Sequence, residues 1–233
     1  MEWYPQDKKQ LDSLLKELMS SKIQKKSIHG IITPHAGYEF SGKIAGKAFS
    51  LLKKRKTNSV IILGPSHYQG FYGVALLKKI KTPLGEIISN NKQIREIHGF
   101  EHEHSIENQI PFLQKLGFKE FLPIVVGDIS NKDAKEIAEW LSKQNAVFVF
   151  STDLSHFLPY KEAIKEDKQT IKIIENLDLK NFNKINACGK FPLLILMHLC
   201  KIKNYKPKLI EYKNSGDITG DKARVVGYAS FYF

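Results

Sequence analysis

Four continuous apolar runs alternate along the chain with segments of helical period, and this alternation restricts the folds open to it. The runs are Ile28 to Thr33, Val60 to Leu63, Phe121 to Val126 and Ala146 to Phe150. A strand that is apolar at every position, not at every second one, is buried on both faces, as in a parallel sheet covered by helices on each side. The intervening segments supply those helices. Leu11, Leu14, Leu15, Leu18 and Met19 mark one over residues 7 to 20, and Ile44, Ala45, Ala48, Phe49 and Leu52 mark a second. Further helices are expected at about 90 to 98, 104 to 116, 133 to 143, 160 to 176 and 189 to 202, with a strand near Val74 to Leu77 and a turn at Thr82-Pro83-Leu84-Gly85. Two strands close the chain, and the last, Val225 to Phe233, alternates enough to be an edge strand or an antiparallel partner. No repeat, low-complexity tract or linker divides the sequence, so residues 1–233 are expected to form a single domain. The fold class predicted is α/β, a three-layer αβα sandwich with a mostly parallel or mixed sheet.

With 42% hydrophobic residues the chain can fill such a core. Two cysteines, Cys188 and Cys200, exclude a disulfide framework and fit a reducing compartment. The start, Met1-Glu2-Trp3-Tyr4-Pro5, lacks the basic-then-apolar pattern of a signal peptide, and the run Phe191 to Cys200 is too short to span a bilayer. A soluble cytoplasmic protein with no membrane partner is therefore expected. Lys and Arg number 36 against 24 Asp and Glu, a formal net charge of +12. Nucleic acid is nonetheless not the expected partner, because the arginines are confined to Arg55, Arg95 and Arg224 and the lysine runs match no nucleic-acid motif. The lysines read as solvated faces.

Three of the apolar strands end in a short polar segment carrying a histidine: Thr33-Pro34-His35-Ala36-Gly37-Tyr38, Gly64-Pro65-Ser66-His67 and Ser151-Thr152-Asp153-Leu154-Ser155-His156. In open α/β sheets, ligands bind beyond the carboxyl ends of the strands. Taken singly, each histidine reads as a loop residue bonded to backbone; taken together, they read as a site. Cys188 precedes an apolar helical run, where a helix N-terminus favours thiolate, whereas Cys200 reads as a small buried hydrophobe. A thiolate with two imidazoles would suit iron, copper or zinc; Cys188 could equally be a nucleophile activated by a histidine. In Glu101-His102-Glu103-His104-Ser105-Ile106-Glu107-Asn108-Gln109, helical spacing puts His104, Glu107 and Asn108 on one face, where they could supply a ligand, a supporting carboxylate or only a helix start. Asp153 and His156 form either a turn or an acid/base pair.

The ordered motifs Trp3-Tyr4-Pro5, Pro34-His35-Ala36-Gly37-Tyr38, Gly64-Pro65-Ser66-His67, Thr82-Pro83-Leu84-Gly85, Glu103-His104-Ser105-Ile106-Glu107, Ser151 through His156, Ala187-Cys188-Gly189, Ser215-Gly216-Asp217 and Val225-Val226-Gly227-Tyr228 run through almost the whole chain. In this the chain resembles the Memo-like family, called in prokaryotes AmmeMemoRadiSam system protein B. The resemblance implies a sandwich similar to class III extradiol dioxygenases and their LigB-type relatives, with a metal-capable pocket at the strand ends. By motif match it implies His35, His67 and Cys188 as metal ligands, with Asp153 and His156 lining the same pocket; these two are the expected catalytic pair, moving protons. Trp3, Tyr38, His104 and Glu107 are expected around it. Iron or copper is the implied metal, with zinc as a further option. An oxidoreductase acting on a small molecule is the leading expectation. The alternatives are a non-catalytic metal- or peptide-binding adaptor, which Phe40 in place of the tyrosine of many relatives favours, and a metal-dependent hydrolase. The prokaryotic family name implies a functional link to a radical-SAM protein and an AMMECR-like protein.

Overall fold

Each apolar run carries a full set of backbone donors and acceptors with apolar side chains on both sides, so it is satisfied only by flanking strands and by covering helices above and below. A computed structural model describes residues 2–21, 28–89, 91, 94 and 101–233. In its first half the chain forms α1 (Lys8–Leu18), β1 (Gly30–Thr33), α2 (Tyr38–Leu51), β2 (Ser59–Pro65), β3 (Val74–Leu76), β4 (Lys79–Thr82), β5 (Gly85–Ile88), α3 (His104–Glu107) and α4 (Ile110–Lys115). The second half adds β6 (Glu120–Val126), α5 (Asn131–Leu141), β7 (Val147–Ser151), β8 (His156–Leu158), α6 (Tyr160–Asn176), α7 (Lys190–Lys203), β9 (Lys208–Asn214), α8 (Ser215–Thr219) and β10 (Val225–Tyr232). The four apolar runs become β6, β2, β7 and β1, which lie side by side in that order and are mutually parallel. β3 extends the sheet antiparallel to β6, and β10 continues it antiparallel to β1. The expected turn at Thr82 to Gly85 joins β4 and β5 in a separate hairpin.

The alternation of side chains along the parallel strands separates two apolar layers. Ile31, Val60, Ile62, Val125, Val147 and Val149 pack under α1, α2 and α4. Their neighbours Ile32, Ile61, Leu63, Ile124, Phe148 and Phe150 pack against α5, α6 and α7. The result is the three-layer sandwich around a mixed sheet. No helix among the described residues is long and apolar enough to cross a membrane.

Of the two alternatives for the last strand the antiparallel partner holds, and one helix differs from the sequence expectation. β10 is antiparallel, but it is no edge: it pairs with β1, β9 and β8, and six of its eight residues are buried. The helix expected over 104 to 116 is two, α3 and α4, because Pro111 has no N–H to bond the carbonyl of Glu107 and the chain turns at Asn108-Gln109. The helix expected at 90 to 98 falls outside the described residues except for Asn91 and Ile94.

Candidate metal centre

Because β2, β7 and β1 are adjacent and parallel, their carboxyl ends open on the same edge of the sheet. His67 follows β2, Asp153 follows β7 and His35 follows β1, so sheet order brings together residues that the chain keeps far apart. Two glycines bring in the rest. A Cβ on Gly64 would stand 2.5 Å from Ser105 Oγ, so the bare backbone of β2 lets α3 close onto it and sets His104 beside His67. A Cβ on Gly189 would stand 2.5 Å from Thr152 Cβ; its absence lets the start of α7 abut the end of β7, where Gly189 N donates to Thr152 Oγ1 at 2.9 Å. Cys188 is thereby delivered to His35. Ser105 is fully buried and donates to Pro65 O, so it cannot yield to a larger neighbour. Gly64→Ala is therefore expected to cost about 2 kcal/mol in urea unfolding; an unchanged midpoint would show that α3 does not press on β2.

One nitrogen from each of His35, His67 and His104 lies within 4.8 Å of the others, the spacing of groups that could hold a metal ion. Supporting partners hold two of the rings. His67 Nδ1 is 2.9 Å from Glu103 Oε1, and the other oxygen of Glu103 accepts from His67 N at 2.7 Å. His35 Nδ1 is 2.9 Å from Ser151 Oγ, and Asp153 Oδ1 accepts from His35 N at 2.8 Å. His104 is held differently: the Trp3 indole stacks flat on it, centroids 4.4 Å apart. His104 Nδ1 is buried and has no hydrogen-bond partner, although Glu103 Oε1 is 3.5 Å away. Cys188 Sγ lies 3.3 Å from His35 Nε2 and accepts from Asp153 N at 3.3 Å.

Burial keeps His35 and His104 neutral, as a metal ligand must be. Desolvation, reinforced by the charges of His67, His104 and His156, holds His35 well below the ordinary histidine range. Desolvation and His67 lower His104 to about 4, and desolvation also lowers His156. Desolvation works to raise the Glu103 carboxyl, but hydrogen bonds from His67 and Ser105 outweigh it and keep the group ionised. Desolvation lifts Asp153 to about 7. The helix-start expectation for Cys188 does not hold: burial first, then the Asp153 charge, raises its thiol well above the ordinary value.

These shifts predict how the metal-free chain responds to acid. At His35, His104 and His156 the folded chain binds fewer protons than the unfolded one, so their contribution is full above pH 6.5 and is lost as the pH falls, for His104 through about 4. Asp153 has the opposite sign: its contribution is full below pH 3.8 and is lost as the pH rises to about 7. Three groups against one give falling urea stability from pH 6.5 towards about 4, and a steeper fall in Asp153→Asn. Stability that rose on acidification would contradict this balance.

The other residues singled out in the sequence divide clearly. His156 opens β8, half-buried on the same side as the cluster, where its charge bears on His35. Tyr38 belongs to the core, packing on Tyr4 and Phe112 while its hydroxyl donates to Asn108 O. Glu107 turns away from the imidazoles, pairs with His102 and helps line a cleft of about 780 Å³ with Trp3, Tyr4 and Asn108. Cys200 is fully buried, as expected. Sequence reasoning passed over Glu103 and Ser151, which bond His67 and His35, and Gln109, which bonds Ser151; nothing in their spacing distinguishes them from an N-cap, a strand end and a helix residue.

With this geometry in view, the comparisons with known proteins are direct. The family model described as Memo-like protein matches residues 2–232. A MEMO1 family protein of Nitrosopumilus maritimus is 32% identical over 265 residues, covering 100% of this chain and 96% of its own length. Those of Aquifex aeolicus and Sulfurisphaera tokodaii are 31% and 36% identical, covering 99% and 87% of this chain and 96% and 81% of their own lengths. A match of this extent establishes that the chain belongs to the Memo-like family.

Proposed function

We propose that this chain is a metalloprotein whose pocket holds a redox-capable metal, iron or copper, and acts as an oxidoreductase on a small molecule. The observation that carries the reading is the gathering of three imidazoles, two with supporting partners and the third with an orphaned buried nitrogen, beside the ends of adjacent parallel strands. The donor set fits such a metal: imidazole suits iron, copper and zinc, and a thiolate at Cys188 would shift the preference towards softer ions. His35, His67 and His104 would hold it, with Cys188 beside His35 as a further donor. When bound, such a metal supplies electron transfer and a positive charge that orients and polarises a ligand.

The remaining steps belong to the chain. Asp153, at about 7, can gain or lose a proton near neutrality. His156, neutral and half-buried, can accept one. Trp3 shields one face of His104 from water. Metal analysis of protein purified anaerobically, alongside His35→Ala and Cys188→Ser, tests the reading: near-stoichiometric iron or copper is expected in wild type and a deficit in His35→Ala. The same sub-stoichiometric content in all three would contradict it.

The role of Cys188 has its own signature. Its thiol is protonated at neutral pH, so coordination through sulfur must release one proton, and affinity must rise about tenfold per pH unit above neutrality. Cys188→Ser should flatten that slope. A flat wild-type profile would leave the three imidazoles as the ligand set.

The 780 Å³ cleft behind Trp3, lined by aromatic, acidic and lysine side chains, favours a second reading, a module that holds a peptide without turnover. Oxygen uptake with a reductant and catechol-like substrates separates the two: turnover that disappears in His67→Ala excludes a purely binding role.

A further inference from the structure

Ser151 is completely buried, with Oγ 2.9 Å from His35 Nδ1 and 3.0 Å from Gln109 Nε2. The orientation of the Gln109 amide is set by Pro34, whose carbonyl oxygen accepts from the same Nε2 at 3.1 Å, a shorter contact than the 3.5 Å one from Thr33 Oγ1. Turning the amide over would place oxygen against oxygen there. The side chain keeps both donor contacts even though its own Oε1 is buried without a partner. One hydrogen of Nε2 therefore goes to Pro34 O and the other to Ser151 Oγ. Ser151 then has a single hydroxyl proton to place, and His35 Nδ1 is the acceptor within reach. Were Nδ1 itself protonated, Ser151 would accept twice and its buried O–H would lose any acceptor, at the full cost of desolvation.

We infer that in the metal-free protein Ser151 donates to His35 Nδ1, holding His35 in its Nε2–H tautomer, and that Gln109 is the positioning residue that sets this choice. The Nε2 hydrogen then faces Cys188 Sγ at 3.3 Å, with Asp153 Oδ2 at 3.9 Å. His67 is the opposite case. Its Nδ1 lies 2.9 Å from Glu103 Oε1, and the Glu103 oxygens already accept from Ser105 N and His67 N, so His67 places its proton on Nδ1 and turns Nε2 to the site. The two histidines present opposite tautomers to one site. His67 presents its Nε2 lone pair without a change of tautomer. His35 offers one only after a proton leaves Nε2 and one is held at Nδ1, with the Ser151 hydroxyl turned away; the ring stays neutral and its proton count does not change.

The consequence for affinity rests on the metal reading above, whereas the tautomer is a property of the metal-free chain. Gln109→Glu reverses the preference, because a protonated carboxyl there can donate to Pro34 O and accept from Ser151. The hydroxyl proton gains another acceptor, Nδ1–H becomes the favoured tautomer of His35, and zinc(II), used as a redox-silent probe, should bind about ten- to a hundredfold more tightly.

Long-range proton–nitrogen correlation spectra of metal-free protein carrying ring-¹⁵N histidine test this at neutral pH. His35 protonated at Nε2 and His67 at Nδ1 are expected in wild type, with His35 alone changing in Gln109→Glu. Wild-type His35 protonated at Nδ1 would overturn the inference, and this spectrum decides even if the variant does not fold. A folded Gln109→Glu chain with His35 unchanged would overturn the part assigned to Gln109. The expected spectra without any zinc binding would count against the metal reading and leave the tautomer assignment standing.

Discussion

Replacing His67 with alanine is expected to weaken metal binding roughly a hundredfold while leaving the chain folded. A complete set of zinc ligands is worth about 10–16 kcal/mol in small sites, so one ligand of three or four accounts for about 3 kcal/mol, roughly two decades of affinity. His67 lies on the exposed side of the cluster and fills no core position, so its loss makes no cavity. Glu103 keeps its bonds from His67 N and Ser105 N and gives up one hydrogen bond to a charged group, a cost of about 1.5 kcal/mol. Competition with a chelator measures the first effect and urea unfolding the second. Affinity within about threefold of wild type would remove His67 from the ligand set.

Glu103→Leu should show the reverse balance, a large loss of stability with or without metal. The carboxylate is fully buried and accepts from His67 N, His67 Nδ1 and Ser105 N. Leucine leaves all three donors without an acceptor, at about 1–3 kcal/mol each. A total near 4 kcal/mol corresponds to a fall of about 8–16 °C in melting temperature for a chain of this size. Glu103→Gln should recover part of the loss, since its amide oxygen can serve the two donors that share Oε1 while its NH₂ opposes the third. A Glu103→Leu chain within about 1 kcal/mol of wild type would mean that water replaces the carboxylate at no cost.

The layered sheet was legible because its cause is local: an uninterrupted apolar run needs cover on both faces, and the helical periods between the runs supply that cover. β10 read ambiguously because its partners β1, β8 and β9 lie elsewhere in the chain, and period-two alternation does not say what covers the second face. The histidines after β1, β2 and β7 were visible as a repeated strand ending. Their meeting depends on β7 inserting between β2 and β1, an order that no local pattern encodes.

His104 was legible as a helical residue with several roles open to it. Its place in the cluster follows from the contact of Gly64 with Ser105, two residues whose closeness appears only in three dimensions. The same limit hid Glu103 and Ser151. A buried carboxylate and a buried hydroxyl look in sequence like any acidic or small polar residue, and their effect on His67 and His35 arises from distances of 2.9 Å across chain separations of 36 and 116 residues. Glu107 illustrates the converse: helical spacing put it beside His104, yet its carboxylate pairs with exposed His102 instead of entering the buried cluster.

The central claim, that His35, His67 and His104 together hold a metal, is tested most directly by anomalous diffraction from crystals soaked anaerobically with iron(II). The account predicts one strong peak at the carboxyl ends of β1 and β2, about 2.0–2.2 Å from a nitrogen of each of the three imidazoles. A peak bonded to fewer than two of these rings, or no peak where they converge, would contradict it.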